Sequence, residues 1–316
     1  MVHKLSPFML GATLYMPANR SDLSSVILDK KISGLRSLVI CLEDALNECD
    51  IPDAFRNLTN LAAEISDRDH SEKPLLFIRP RSIAMAKKLV DQIDLSCFTG
   101  FVLPKFVLGD LDAWWNILEN THLYMMPTLE TKEVFNANEM LALAKVLEMH
   151  QCKDRLLALR IGGNDLMSAL SLRRSRSFTI YESPLGFVIK MLVSIFASHG
   201  FYLTAPVCEL IDDQSLIEKE LELDVAHGLV GKTAIHPSQI EIIESAFMVN
   251  SEDVSDALKI INSSQAVFAN QGAMCEPATH RRWAHSILER SFYFGVYSSL
   301  SNIASHDDIK SHKARS

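Results

Sequence analysis

The chain has 316 residues, 48% of them hydrophobic, and a formal net charge of −8. This length suits one large α/β domain or two ordinary ones, and the apolar share supports a full core without disulfides or a structural metal. The acidic balance excludes a general nucleic-acid binder, which would present a basic face to phosphates. Only Lys310–Arg315 is locally basic, and it reads as a solvated tail. The six cysteines, Cys41, Cys49, Cys97, Cys152, Cys208 and Cys275, form no CxxC pair. That excludes a zinc ribbon or a thioredoxin-type motif and reads as free thiols in a reducing, cytoplasmic compartment.

The first apolar stretch, Leu5–Ala18, follows His3 and Lys4 as a leader segment would, but Pro7 and Pro17 bracket it and its pattern is strand-like. It reads as the first strand. Short apolar runs then recur: Met9–Met16, Ser37–Leu42, Leu75–Ile78, Gly100–Leu103, Leu123–Met126, Leu156–Ile161, Phe201–Val207 and Thr233–Ile235. Runs without polar alternation suit strands covered on both faces, as in a parallel sheet. Helical patterns lie between them. Ile83, Ala84, Ala86, Leu89, Val90 and Ile93 share one face; Met140, Leu141, Ala144 and Leu147 repeat the theme, as does the stretch from Leu216 to Val225. Leu185–Ala197, interrupted by Lys190 and Ser194, does not reach the length of a membrane span.

Eight strand–helix units without a Gly/Ser/Pro linker predict an α/β protein, a closed (β/α)8 barrel over residues 1–245. A doubly wound sheet is the alternative; against it, no GxGxxG follows the first strand and no P-loop occurs. Over residues 246–316, Ser255–Phe268 and Arg281–Ser298 look helical and no further strand is marked, which predicts a helical C-terminal extension.

In such a barrel, chemistry sits at the carboxyl ends of the strands. Read in order, those ends carry Asn19 and Arg20, Glu43 and Asp44, Arg79 and Arg81, Lys105, Glu130, Asn164 and Asp165, Glu209, and His236. Glu130 and Asp165 end neighbouring strands. Two hard oxygen ligands with no nearby His or Cys suit Mg2+ or Mn2+; in the other reading one caps a helix and the other pairs with an arginine. Arg79 is placed to grip a carboxylate or neutralise an oxyanion, or else to form a salt bridge with Glu43 or Asp44, and Arg81 carries the same pair of readings. Glu43 and Asp44 are consecutive, so their side chains diverge, and either is a candidate acid/base. Lys105 is a candidate for substrate contact or structural pairing, with nothing marking the lowered pKa that a Schiff base would need. His236 contacts an anionic substrate, takes a proton, or caps a helix. Asn164 orients Asp165, touches substrate or caps the next helix.

These motifs carry a resemblance. LYMPANR resembles an L-F-V-P-G opening, VICLEDAL a D-L-E-D-A-V segment, FIRPR an arginine strand V-R-V-N, and GFVLPK a G-[IV]-V-L-P-K strand. LET matches a Glu-Thr metal strand, IGGND an F-G-x-x-D strand, and GKTAIHPSQI the pattern G-K-x-x-I-H-P-x-Q. In their order and spacing, over about residues 8–268, they resemble the HpcH/HpaI aldolase and citrate lyase β-subunit superfamily. The resemblance implies a (β/α)8 barrel that makes or breaks a carbon–carbon bond beside a carboxylate or thioester. It implies Mg2+ held at Glu130 and Asp165, an enolate stabilised at Arg79, and a trimer or other homo-oligomer.

The departures bear on the substrate. Gly11 and Ala12 stand where the family has Arg-Ser, Pro80 and Arg81 where it has a small residue and Asn, and the C-terminal G-K-M-I-D segment is replaced by Met274–Ala284. That replacement holds Glu276, His280, Arg281 and Arg282, which either read an anionic group, with Arg281 foremost, or form a helix start with Thr279 as cap. These changes weaken the expectation of a coenzyme A substrate and leave the metal chemistry in place. The chain is also similar to a branch associated with bacterial tellurite-resistance and stress operons. The leading expectation is a Mg2+-dependent (or Mn2+-dependent) carbon–carbon lyase acting on a small anionic oxo acid, hydroxy acid or thioester, with no nucleic-acid or membrane partner. The alternatives are a pyruvate- or phosphoenolpyruvate-type aldolase or synthase on the same barrel, and a non-catalytic binding subunit.

Overall fold

The computed structural model describes residues 5–44, 46–66, 73–270 and 272–298. The basic tail Lys310–Arg315 lies outside the described residues. The chain divides into two compact units, residues 1–243 and 244–316.

In the first unit, strands and helices alternate from the start. β1 (Gly11–Pro17), α1 (Leu23–Leu28), β2 (Ser37–Cys41) and α2 (Ile51–Ser66) lead into β3 (Leu75–Arg79) and α3 (Ile83–Gln92). β4 (Gly100–Leu103), α4 (Leu111–Leu118), β5 (Tyr124–Leu129) and α5 (Ala137–Met149) follow. Then come β6 (Leu159–Ile161), α6 (Gly163–Ala169), α7 (Pro184–Ser198), β7 (Leu203–Thr204), α8 (Gln214–Ala226), β8 (Gly231–Ala234) and α9 (Ser238–Ala246). Several starts are set by side chains that accept otherwise unpaired first-turn amides: Ser82 for α3, Asn136 for α5, Ser183 for α7 and Asp213 for α8.

All eight strands run parallel in the order β7-β6-β5-β4-β3-β2-β1-β8. The ring closes where Ala205, just past β7, bridges Lys232 on β8, with the Ala205 N–H donating to the Gly231 carbonyl at 2.8 Å. This is the (β/α)8 barrel expected from the alternation. The seventh strand is shorter than its apolar run, Phe201–Val207, because Pro206 has no N–H to continue the ladder. Near the amino ends of the strands the lumen is filled by Leu10, Val39, Phe77, Val102, Met126 and Ala158, so the barrel is a packed core at that end.

The second unit carries α10 (Ser251–Asn262) and α11 (Pro277–Phe294), packed through Ala257, Ile260, Ala284 and Ile287. Its strand content corrects the expectation of helices alone. Val249–Asn250 pairs in parallel with Val296–Tyr297, and Phe268–Asn270 forms an antiparallel pair with Ala273–Cys275. Two- and three-residue strands leave too short a period-two pattern to be read from sequence. Among the described residues, no helix is long and apolar enough to cross a membrane.

Candidate active site

Alternate residues of a strand face opposite sides, so in a closed barrel the register decides which side chains meet in the lumen. Tyr15 pairs with Val39, Cys41 with Arg79, and Thr128 with Arg160. One parity therefore brings Thr13 and Tyr15, Arg79, Thr128 and Glu130, Arg160, and Thr233 to the inside. At the carboxyl ends this set opens into a cavity of about 430 Å3, lined by Tyr15, Arg79, Thr128, Glu130, Arg160, Asn164 and Asp165 among others.

Glu130 is 4% exposed at the end of β5. Its Oε1 accepts the Lys105 backbone N–H at 2.7 Å and an Arg79 guanidinium N–H at 2.9 Å. Lys105 reaches this position with φ of 47°, a left-handed conformation that costs a non-glycine residue about 1 kcal/mol or more. Burial pushes the Glu130 carboxyl up to about 7, against the pull of Arg79 and the Lys105 amide. No described group donates to Oε2. A Cβ on Gly162 would stand 2.4 Å from that oxygen and from Glu130 Cβ, so Gly162 is the residue that leaves the carboxylate room. Gly163 does the same for Pro206, whose Cβ would lie 2.8 Å away.

Arg79 sits between carboxylates: its Nη2 lies 2.8 Å from Glu43 Oε2, 2.9 Å from Glu130 Oε1 and 3.7 Å from Asp44 Oδ2. Both readings of this arginine meet here, since it lines the cavity and is ion-paired. Burial works against its charge, but Glu130 and Glu43 hold the guanidinium protonated, well above its usual range. Lys105 Nζ approaches Glu43 Oε1 at 2.5 Å, Asp44 Oδ1 at 3.4 Å and Asp165 Oδ1 at 3.9 Å. Although burial alone would lower it, the Glu43 contact raises the Lys105 ammonium above its ordinary value, the opposite of what a Schiff-base amine requires. Burial and the hydrogen bond shared with Asp44 raise Glu43, while Asp44, despite its own burial, is held low by Glu43 and Lys105.

The helix-cap reading of Asn164 and Asp165 does not apply. Gly162 occupies the cap of α6 with no side-chain bond, and both residues fall in the first turn with access to the cavity. Arg81 is drawn away from the cavity: its Nη2 donates to the Glu43 carbonyl at 3.2 Å and to the Leu46 carbonyl, clamping the loop that presents Glu43 and Asp44. The structure does not bring His236 to the cavity lining. It follows the inward Ile235, so it takes the opposite parity, and its Nδ1 is engaged with Ser238 Oγ at 2.7 Å in the turn before α9. Arg281 stands exposed on α11 in the second unit; there Glu276 holds the helix cap position and the Thr279 hydroxyl donates back to the Glu276 carbonyl at 3.2 Å.

Sequence reading passed over Arg160, which is 2% exposed and lines the cavity. Its Nη2 donates to Thr233 Oγ1 at 2.6 Å, its Nη1 lies 3.5 Å from Thr13 Oγ1, and its guanidinium carbon is 5.3 Å from the Tyr15 ring centroid. Burial pushes its pKa down. The available signal was a lone charge in the apolar run LLALRI, two residues before Gly162 and hence of the same parity.

Among the described residues no three His, Cys, Asp or Glu side chains converge as a metal site. The donor set nevertheless fits a divalent cation that keeps water or substrate oxygens. Four carboxylates, Glu43, Asp44, Glu130 and Asp165, gather with Arg79 and Lys105 at the mouth, and Glu130 and Asp165 line the cavity as hard oxygen donors.

A model of the C–C bond lyases of the TIM-barrel fold matches residues 4–296. The chain belongs to this family. Among curated relatives, the (3S)-malyl-CoA thioesterase of Cereibacter sphaeroides is 23% identical over 258 residues, covering 80% of this chain and 82% of its own. Among solved structures, a citrate lyase from Burkholderia xenovorans superposes with a TM-score of 0.69 at 16% identity, covering 94% of this chain and 98% of its own. Protein CitE from Mycobacterium tuberculosis, in complex with magnesium, acetoacetate and coenzyme A, gives 0.64 at 20% identity, covering 89% and 98%. The resemblance to the citrate lyase β-subunit superfamily is borne out, and at these identities the structural likeness speaks for the fold.

Proposed function

We propose that this chain is a Mg2+-dependent carbon–carbon lyase acting on a small anionic acid or its thioester. The observation that carries this reading is the carboxylate cluster at the barrel mouth, with Glu130 and Asp165 both lining the cavity. Family membership supports the reaction class. Glu130 and Asp165 would hold the cation, which when bound supplies a Lewis acid for the substrate's carboxylate and carbonyl oxygens. Arg79 adds a fixed positive charge beside that position. Its buried Nε has no hydrogen-bond acceptor among the described residues, so the guanidinium keeps donor capacity for the oxygen on which charge develops as the bond cleaves. Glu43, raised by burial and bonded to Lys105, is the candidate for moving the proton, with Asp44 beside it. Lys105 fixes both carboxylates and borders Asp165, and Asn164 lines the cavity for substrate contact.

The test separates metal from fold. Mn2+ titration by calorimetry is expected to show one site in the native protein and no measurable binding in Glu130→Gln or Asp165→Asn, with circular dichroism unchanged. Unaltered Mn2+ affinity in both variants sinks the assignment. A panel of 2-oxo acids, hydroxy acids and thioesters then sorts the chemistry. Turnover of free 4-hydroxy-2-oxo acids alone favours an aldolase. Release of thiol without carbon–carbon cleavage favours a thioesterase, the activity for which the Cereibacter relative is named. Metal binding without any turnover favours a binding subunit.

A further inference from the structure

Arg160 is a buried cation whose direct partners are all neutral, the hydroxyls of Thr13 and Thr233 and the Tyr15 side chain, while Glu130 acts on it only through space. No carboxylate among the described residues pairs with it. A fully desolvated guanidinium without a counter-ion is costly, and proteins keep one where an anion joins it. The surroundings are also unfinished. Thr128, in register with Arg160 on β5, is 3% exposed, lines the same cavity, and its buried Oγ1 has no hydrogen-bond partner. Thr204, in register on β7 and 0% exposed, leaves its Oγ1 equally unpartnered. An arginine flanked by two orphaned hydroxyls replaces the apolar layer that usually fills a barrel at this depth.

We propose that Arg160, with Thr128 beside it, is a specificity-determining subsite that takes a second carboxylate of the substrate, below the metal-chelating end, so that the protein selects dicarboxylates over monocarboxylates. This rests on the functional reading above for the placement of the first end. An anion there would accept from the guanidinium and from the Thr128 hydroxyl, satisfying both without displacing the Thr233 contact that aims the arginine.

The experiment uses three probes with the same 2-hydroxy-carboxylate end: lactate, which has a methyl group next, and tartronate and malate, which carry a second carboxylate. Binding is measured by calorimetry on the full chain, with and without Mn2+. The better of the two dicarboxylates is expected to bind native protein about tenfold to a hundredfold more tightly than lactate, the span of a charge-assisted hydrogen bond. Arg160→Met is expected to abolish that preference while leaving lactate and Mn2+ affinities unchanged. Equal binding of lactate and both dicarboxylates by native protein, or an undiminished preference in Arg160→Met, overturns the proposal. If Arg160→Met fails to fold, Thr128→Val is measured instead. It keeps the arginine and is expected to weaken dicarboxylate binding about threefold to tenfold, and no change counts against the subsite. Failure of the functional reading shows separately, as absence of Mn2+ binding in native protein, and the metal-free titrations still decide the role of Arg160.

Discussion

Gly162 shows how one atom decides the site. A methyl group there would collide with the Glu130 carboxylate at 2.4 Å, and both sides are held, Glu130 by Arg79 and the Lys105 amide, Gly162 by the strand-to-helix turn. Gly162→Ala is therefore expected to destabilise the protein by about 1–3 kcal/mol and to weaken Mn2+ binding, measured by denaturant titration and calorimetry; wild-type values in both would refute the close approach. In sequence the glycines were legible as special, but the partner they accommodate was not. Glu130 comes from a strand 32 residues earlier and meets Gly162 only through the β5–β6 register. Arg79 and Glu130 were likewise legible as strand-end charges, whereas their direct pairing, across 51 residues, was not.

At the scale of the element, parity is the organising fact. The β8 segment Gly231–Ala234 sends Thr233 inward to Arg160 and Lys232 outward against α8. There Lys232 Nζ lies 2.8 Å from Asp224 and 3.4 Å from Glu220, all three with no side-chain exposure, while Tyr181 donates to Asp224 at 2.5 Å and Arg174 pairs with Glu220 at 3.0 Å. Lys232→Met leaves Asp224 and Glu220 buried without that cation, and a loss of about 3–5 kcal/mol is expected in urea unfolding. A loss below 1 kcal/mol would mean the network tolerates the change. Ahead of α1, Asp22 is bound by Arg20 at 2.8 Å and Lys31 at 2.9 Å, which hold its carboxyl well below the usual range. A depressed carboxylate adds stability above its unfolded value of 3.8 and loses it as the pH falls through the folded value. Because the cluster is solvent-facing, Asp22→Asn is expected to cost only about 0.5 kcal/mol at neutral pH, with the difference vanishing in strong acid, as read from unfolding curves at several pH values.

For the molecule as a whole, the proposed cation site at the mouth predicts that stability rises when a divalent metal is supplied. At a hundred times its dissociation constant a metal adds about 2.7 kcal/mol, which for a domain of this size raises Tm by about 5 °C. Chelator-treated protein is expected to melt lower by that amount, to recover with Mg2+ or Mn2+, and to show no shift in Glu130→Gln. A melting temperature insensitive to metal in the native protein would count against that site. The same closure that gathers the mouth carboxylates also explains why His236 stays out: the last strand meets the first in a fixed register, and that register gives the inward place to Ile235.

By itself the sequence determined the barrel, because eight apolar runs of strand length separated by amphipathic helices leave few other ways to bury them. It also determined that the strand ends carry the charges, and its motifs identified the family. Only the tertiary structure decided which of those charges meet. Side-chain parity and register are set when β8 closes against β1 and β7, a non-local event that no short stretch encodes. Closure is what turned Arg160 from an exception in an apolar run into the cation at the base of the cavity and left His236 outside it, while the Glu43 and Leu46 carbonyls drew Arg81 away.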